Sequence, residues 1–117
     1  MINITILDDG IITTGHSNFA EDGKDIICAS VSVLMQTLEL CGKSVKRKGY
    51  MMVETKDKYG MFLIANGLKL IADEYPKYVE LKGCKATCKA FEEAMDKDIE
   101  NRKKIEQKRR DNDKAYN

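Results

Sequence analysis

The sequence predicts an α+β domain: a small, mostly antiparallel four-stranded sheet with two helices on one face, in the order β-β-α-β-α-β, followed by a charged C-terminal helix. Three observations predict it. Apolar and polar residues alternate at the N-terminus, which is the period of half-buried strands, and the short run YMMVET after Gly49 reads as a further strand. Two longer stretches repeat their apolar residues every three to four positions, which is the period of amphipathic helices. After Gly83 the chain turns rich in Lys, Glu and Arg, and only a narrow apolar stripe survives.

The elements follow in order. Ile2 to Leu7 alternates β-branched and polar residues as a strand, and Asp8-Asp9-Gly10 is a hairpin turn. Ile11 to Thr14 is the returning strand; Gly15 ends it, and His16 is the first residue of a loop. Helix one spans Asp25 to Cys41, with Asp25 as N-cap and Gly42 as stop. Its stripe is Ile27, Val31, Leu34, Leu38 and Cys41, broadened by Ile26, Val33 and Leu40, so a sheet on one side and a partner subunit on the other are expected. Ser44 to Lys48 reads as a basic connection and Tyr50 to Thr55 as the third strand. Helix two begins near Tyr59, carries Met61, Ile64, Ala65, Leu68, Ile71, Ala72 and Tyr75 on one face, and stops at Pro76. Tyr78 to Leu81 is the fourth strand. Residues 1–83 therefore read as the domain, and 84–117 as a helical extension that frays after about Arg110.

Composition bounds the function. A chain of 117 residues, 43% hydrophobic, has room for one core. No apolar run reaches the roughly 18–20 residues needed to cross a bilayer. The start, MINITILDDG, has no basic segment before an apolar one, so no secretory leader is read and a cytoplasmic, reducing setting is expected. That setting argues against a disulfide framework among Cys28, Cys41, Cys84 and Cys88. A net charge of +1 gives no global case for nucleic acid.

The chemistry-bearing stretch is Thr14 to Gln36. It holds the lone histidine, His16, and Cys28 twelve residues later. With Asp25 as N-cap, Cys28 falls at N3, in the first turn, where the helix dipole favours a thiolate. Spacing alone does not define a site, and it favours Cys28 as a small core residue.

The fuller pattern adds to this. Gly15-His16, a glycine-containing loop, and Asp25-Ile26-Ile27-Cys28-Ala29-Ser30-Val31-Ser32 resemble the signature of the ribosomal-processing cysteine proteases, the Prp family. That signature reads GH, a loop, then D-x-x-C-A-x-V-S. GYMMVE resembles the family's third strand, and EYP followed by YVEL its second helix and last strand, so the resemblance covers roughly residues 1–83. It implies a small dimeric cysteine protease that removes the N-terminal extension of a large-subunit ribosomal protein, or, in a phage-type member, processes a phage protein. It implies Cys28 as nucleophile and His16 as the base that later protonates the leaving amine. Gly15 would turn the backbone beside the pair. Asp25 would cap the helix and anchor the loop, or else orient His16. Ser32 would hydrogen-bond near the thiolate or back-bond its own helix. Ser17, Asn18, Phe19, Ala20, Glu21, Asp22, Gly23 and Lys24 would form a lid over the substrate, and N–H groups at the helix start would supply part of an oxyanion hole.

Outside that stretch the readings are plainer. Cys84 and Cys88 fall on a stripe with Phe91, Met95 and Ile99, which favours packing over a metal site. No metal or cofactor is expected. Arg102-Lys103-Lys104 and Lys108-Arg109-Arg110 are interleaved with acids and lack aromatic residues, which favours a solvated helix over an RNA contact. The alternative to an enzyme is a non-catalytic protein that dimerises through its apolar helix and docks on a ribosome or phage assembly through its tail.

Overall fold

The computed structural model describes residues 1–15, 25–47 and 50–115, with side chains described as far as residue 110 apart from that of Arg47. The strands are β1 (Ile2–Ile6), β2 (Gly10–Thr14), β3 (Lys43–Arg47), β4 (Tyr50–Glu54) and β5 (Val79–Gly83). The helices are α1 (Ile26–Glu39), α2 (Lys58–Glu74) and α3 (Cys88–Ala115). The sheet order is β3-β4-β2-β1-β5. All pairings are antiparallel except β1 with β5, which is parallel from Ile2↔Val79 to Ile6↔Gly83.

The fold class is therefore α+β, and the sheet has five strands rather than the expected four. The element order is β-β-α-β-β-α-β-α. The additional strand is β3, which lies in the stretch read as a basic connection. Its sequence, KSVKR, holds one apolar residue, because an edge strand needs little burial to be held by its ladder.

Alternation along the strands sorts side chains into two clusters on opposite faces. On one face Ile2, Ile4, Ile11, Val53 and Val79 meet Ile27, Val31, Met35 and Leu38 of α1 and Ile64 and Leu68 of α2. Ile4, Ile11, Met35, Val53 and Leu68 are fully buried there, and each such side chain contributes about 1.5–3 kcal/mol. On the other face Leu7, Ile12, Tyr50 and Met52 meet Cys88, with Val45, Ala86, Phe91 and Met95 around them. The two-helices-on-one-face expectation holds, and the start of α3 covers the other.

Helix boundaries have local causes. Asp25 and Asp57 sit in extended backbone and cap α1 and α2 through their carboxylates. The α2 helix ends at Glu74, two residues before Pro76. The C-terminal helix differs from expectation. It begins at Cys88, so Cys84 is an exposed loop residue and not part of the stripe. It continues to Ala115, past the expected fraying point. No disulfide joins the four cysteines. Among the described residues no helix is long and apolar enough to cross a membrane.

Candidate active site

The first turn of α1 carries the candidate nucleophile. Asp25 adopts φ −79° and ψ 92°, and its Oδ1 accepts from the N–H of Ile27 at 3.1 Å and of Cys28 at 3.0 Å. Its own carbonyl accepts the first helical bond, from Ala29 N at 3.1 Å. Cys28 thus stands at N3, as the spacing from Asp25 predicts. It is half-buried and packs against the core under α1 and α2. The cap closes on two of the N–H groups that sequence reasoning offered to an oxyanion. With Asp25 in place those at N2 and N3 are engaged, and of the first three only Ile26, at N1, lies outside the cap's reach.

The remaining supporting residues can be placed. Gly15 has φ +83°, a region that favours glycine, and a Cβ there would run into the carbonyl oxygen of Met1. Glycine is thus required on two counts at the end of β2. Ser32 is exposed on α1, four residues beyond Cys28. Back-bonding in this helix is made by Ser30 to Ile26 O at 2.6 Å and Thr37 to Val33 O at 2.7 Å. His16 and the loop Ser17–Lys24, and with them the expected Cys28–His16 pairing, lie outside the described residues.

The topology nonetheless orients the site. The end of α1 packs at Glu54–Thr55, where Thr55 Oγ1 donates to Cys41 O at 2.7 Å. Glu54 pairs with Gly10, so this is the Gly10 end of β2. A fourteen-residue helix is about 20 Å long. Its first turn therefore points back along the sheet toward the Gly15 end, where the chain leaves for His16.

A second group of reactive side chains lies at the opposite end. Ligand-type atoms of Asp9, Glu54 and Cys88 lie within 4.8 Å of one another. Asp9 Oδ1 accepts from Cys88 N at 2.7 Å and caps the start of α3. Burial first, then the hydrogen bond and charge of Asp9 and the charge of Glu54, push the Cys88 thiol up to about 12. A protonated buried thiol is a packing and hydrogen-bonding group, not a nucleophile or a ready metal ligand. Sequence reasoning missed Asp9 because its partner is 79 residues away. The only local signal was the turn itself.

A cysteine seated in the first turn of a capped helix, laid on a small α+β sheet, defines a candidate thiol hydrolase. The family model described as cysteine protease Prp matches residues 1–80, and the chain belongs to that family. A 32-residue stretch is 50% identical to the ribosomal processing cysteine protease Prp of Mycoplasma genitalium, covering 27% of this chain and 32% of that relative's length. Among solved structures, the fold is similar to the essential ribosomal processing protease Prp from S. aureus with a covalently linked product peptide. There the TM-score is 0.65 at 20% identity, over 72% of this chain and 100% of that one. The same S. aureus protease with a substrate peptide gives 0.56 at 18% identity, over 71% and 97%. A Streptococcus mutans protein gives 0.57 at 24% identity, over 74% and 96%.

Proposed function

We propose that this chain is a cysteine endopeptidase that removes an N-terminal extension from a ribosomal protein, with Cys28 as nucleophile and His16 as general base. The observation that carries the reading is Cys28 at N3 of a capped helix, within a chain of the Prp family. The Cys28 sulfur adds to the scissile carbonyl carbon while His16 holds the thiol proton. Collapse of the tetrahedral adduct breaks the C–N bond, and His16 gives its proton to the leaving amine. Water then hydrolyses the thioester and restores the thiol. Asp25 fixes the turn that presents Cys28, and Gly15 sets the path of the chain into His16. Ser32 hydrogen-bonds near the Cys28 thiolate, and the loop Ser17–Lys24 acts as the lid over the substrate peptide. Residues 1–83 form the protease domain in this reading, and 84–117 an extension.

The test is cleavage of a peptide spanning the N-terminal extension of a large-subunit ribosomal protein, followed by mass spectrometry. Cys28→Ala and Cys28→Ser should abolish cleavage with the fold retained; cleavage by the alanine variant would refute the mechanism. Alkylation gives a second readout. Cys28 should label faster than Cys41 and Cys84, although both of those are exposed and Cys28 is half-buried, and His16→Ala should slow that labelling near neutral pH. Equal labelling of the three would favour the non-catalytic binding protein.

A homodimer is part of the same proposal. The outward surfaces of α1 and α2 join in an apolar groove lined by Ile26, Ala29, Val33, Leu34, Leu70 and Ile71. Val33 is 61% and Leu70 72% exposed. An apolar face shared by two helices is suited to burial against a second copy. Val33→Lys with Leu70→Lys should convert a dimer to a monomer in sedimentation velocity. A wild-type monomer at micromolar concentration would remove this face as a dimer contact.

A further inference from the structure

The distal half of α3 does nothing for the core. From Lys97 to Arg110 every residue is exposed, and the helix still runs to Ala115. A helix that is polar all round has no packing role of its own and stands in solvent, commonly on i,i+4 ion pairs. Charge along α3 is not evenly spread. Between Cys88 and Asn101 five acids stand against two lysines. Between Arg102 and Arg110 six bases stand against one acid, Glu106, a local net charge of +5 in a chain whose overall charge is +1. The rest of the molecule is therefore net acidic although it holds the other fourteen Lys and Arg, and the 102–110 segment is a local basic excess followed directly by Asp111 and Asp113.

The arrangement of those six bases selects the partner. At 100° per residue Arg102, Lys103, Lys104, Lys108, Arg109 and Arg110 surround most of the helix circumference. Arg102 pairs with Asp98 at 3.3 Å on the surface, a contact worth little in water. Ile105 is the only large apolar side chain among them. Without an apolar face the segment cannot insert into a lipid interface, which leaves only surface attraction to anionic headgroups. Without an aromatic residue it cannot stack on unpaired bases. What remains is a rod of positive charge about 12 Å long, matched to closely spaced, sequence-independent anions.

We propose that residues 102–110 of α3 form a docking arm for the phosphate backbone of duplex nucleic acid. This goes beyond the protease reading and does not depend on it. Binding of this kind releases counterions, so affinity falls steeply with salt, with a log–log slope of about −0.9 per phosphate contacted. A duplex meets one side of the helix, which presents at most four of the six bases, and contact through four gives a slope of about −3.6.

The experiment is fluorescence anisotropy of the full chain with 20-base-pair RNA and DNA duplexes between 50 and 200 mM KCl. Binding to at least one duplex with a slope of about −3.6 is expected, and the tighter duplex names the source of the phosphates. Lys104→Gln, Lys108→Gln and Arg109→Gln together should weaken binding at least tenfold and flatten the slope by about 2–3. These positions are exposed, so the circular dichroism and peptidase activity of the triple variant should match wild type. No binding to either duplex at 50 mM KCl, or a triple variant that binds as wild type does, would overturn the proposal. Equal affinity for polyglutamate of matched charge would overturn the assignment to nucleic acid.

Discussion

At the scale of single residues, Asp25 does two things that pull against each other. Its carboxylate satisfies the N–H groups of Ile27 and Cys28 and so fixes the turn that carries the thiol. The same contact withholds those donors from an oxyanion. Asp25→Ala should cost about 1 kcal/mol in urea denaturation, and Asp25→Asn much less, because an asparagine oxygen still caps. In peptide cleavage both variants should be impaired in step with the loss of the cap if presentation of Cys28 is its whole role. Gly15→Ala is predicted to be worse for stability, since a positive φ and the Met1 carbonyl both oppose a Cβ. That Cys28 is an N3 residue was legible in the sequence, because an Asp three residues earlier is a strong cap signal. The reason for glycine at position 15 was legible only as a turn. The contact with Met1 depends on how β1 and β2 pair, which no local pattern states.

At the scale of elements, α3 is held by one buried junction. Its first residue, Cys88, fills a space that exists because Gly10 has no side chain; a Cβ at Gly10 would overlap both Cys88 Sγ and Val53 O. Cys88 titrates from a raised value in the fold, about 12 against an ordinary 9.0. The unfolded chain therefore gives up its proton first as pH rises, so the contribution of Cys88 is intact below about pH 9 and is lost progressively between 9 and 12. Thermal denaturation should show this decline in wild type and a shallower one in Cys88→Val. The stripe on α3 was legible from spacing, but its start was placed one turn early, because Cys84 continues the same period. The structure instead uses Cys84 in the loop, its N–H donating to Ile6 O at 2.9 Å beyond the end of the β1–β5 ladder. The strand β3 escaped for the opposite reason. Its pairing with β4 is backbone chemistry, and Lys43, Lys46 and Arg47 give no apolar alternation to read.

At the scale of the whole molecule, the chain divides unequally between the two faces of its sheet. The face under α1 and α2 is covered by residues within the family match, and the other by residues beyond it. Truncation after Gly83 should expose Leu7, Ile12, Tyr50 and Met52, lower the melting temperature and increase binding of a hydrophobic dye. Truncation after Glu100 should change neither, since the helix beyond it is exposed throughout its described side chains. The pairing of β1 with β5 carries a consequence for how the molecule is made. The strand β1 lies inside the sheet, with β2 on one side and β5 on the other. Its first partner emerges a few residues after it, but Val79, which faces Ile2, is the start of the last strand. A nascent chain can close the first hairpin early, yet one side of β1 stays open until nearly the whole domain has left the ribosome. Long-range closure of that kind is slow. Completion of this sheet is therefore a late event in synthesis, timed by β5 rather than by the hairpin that begins it.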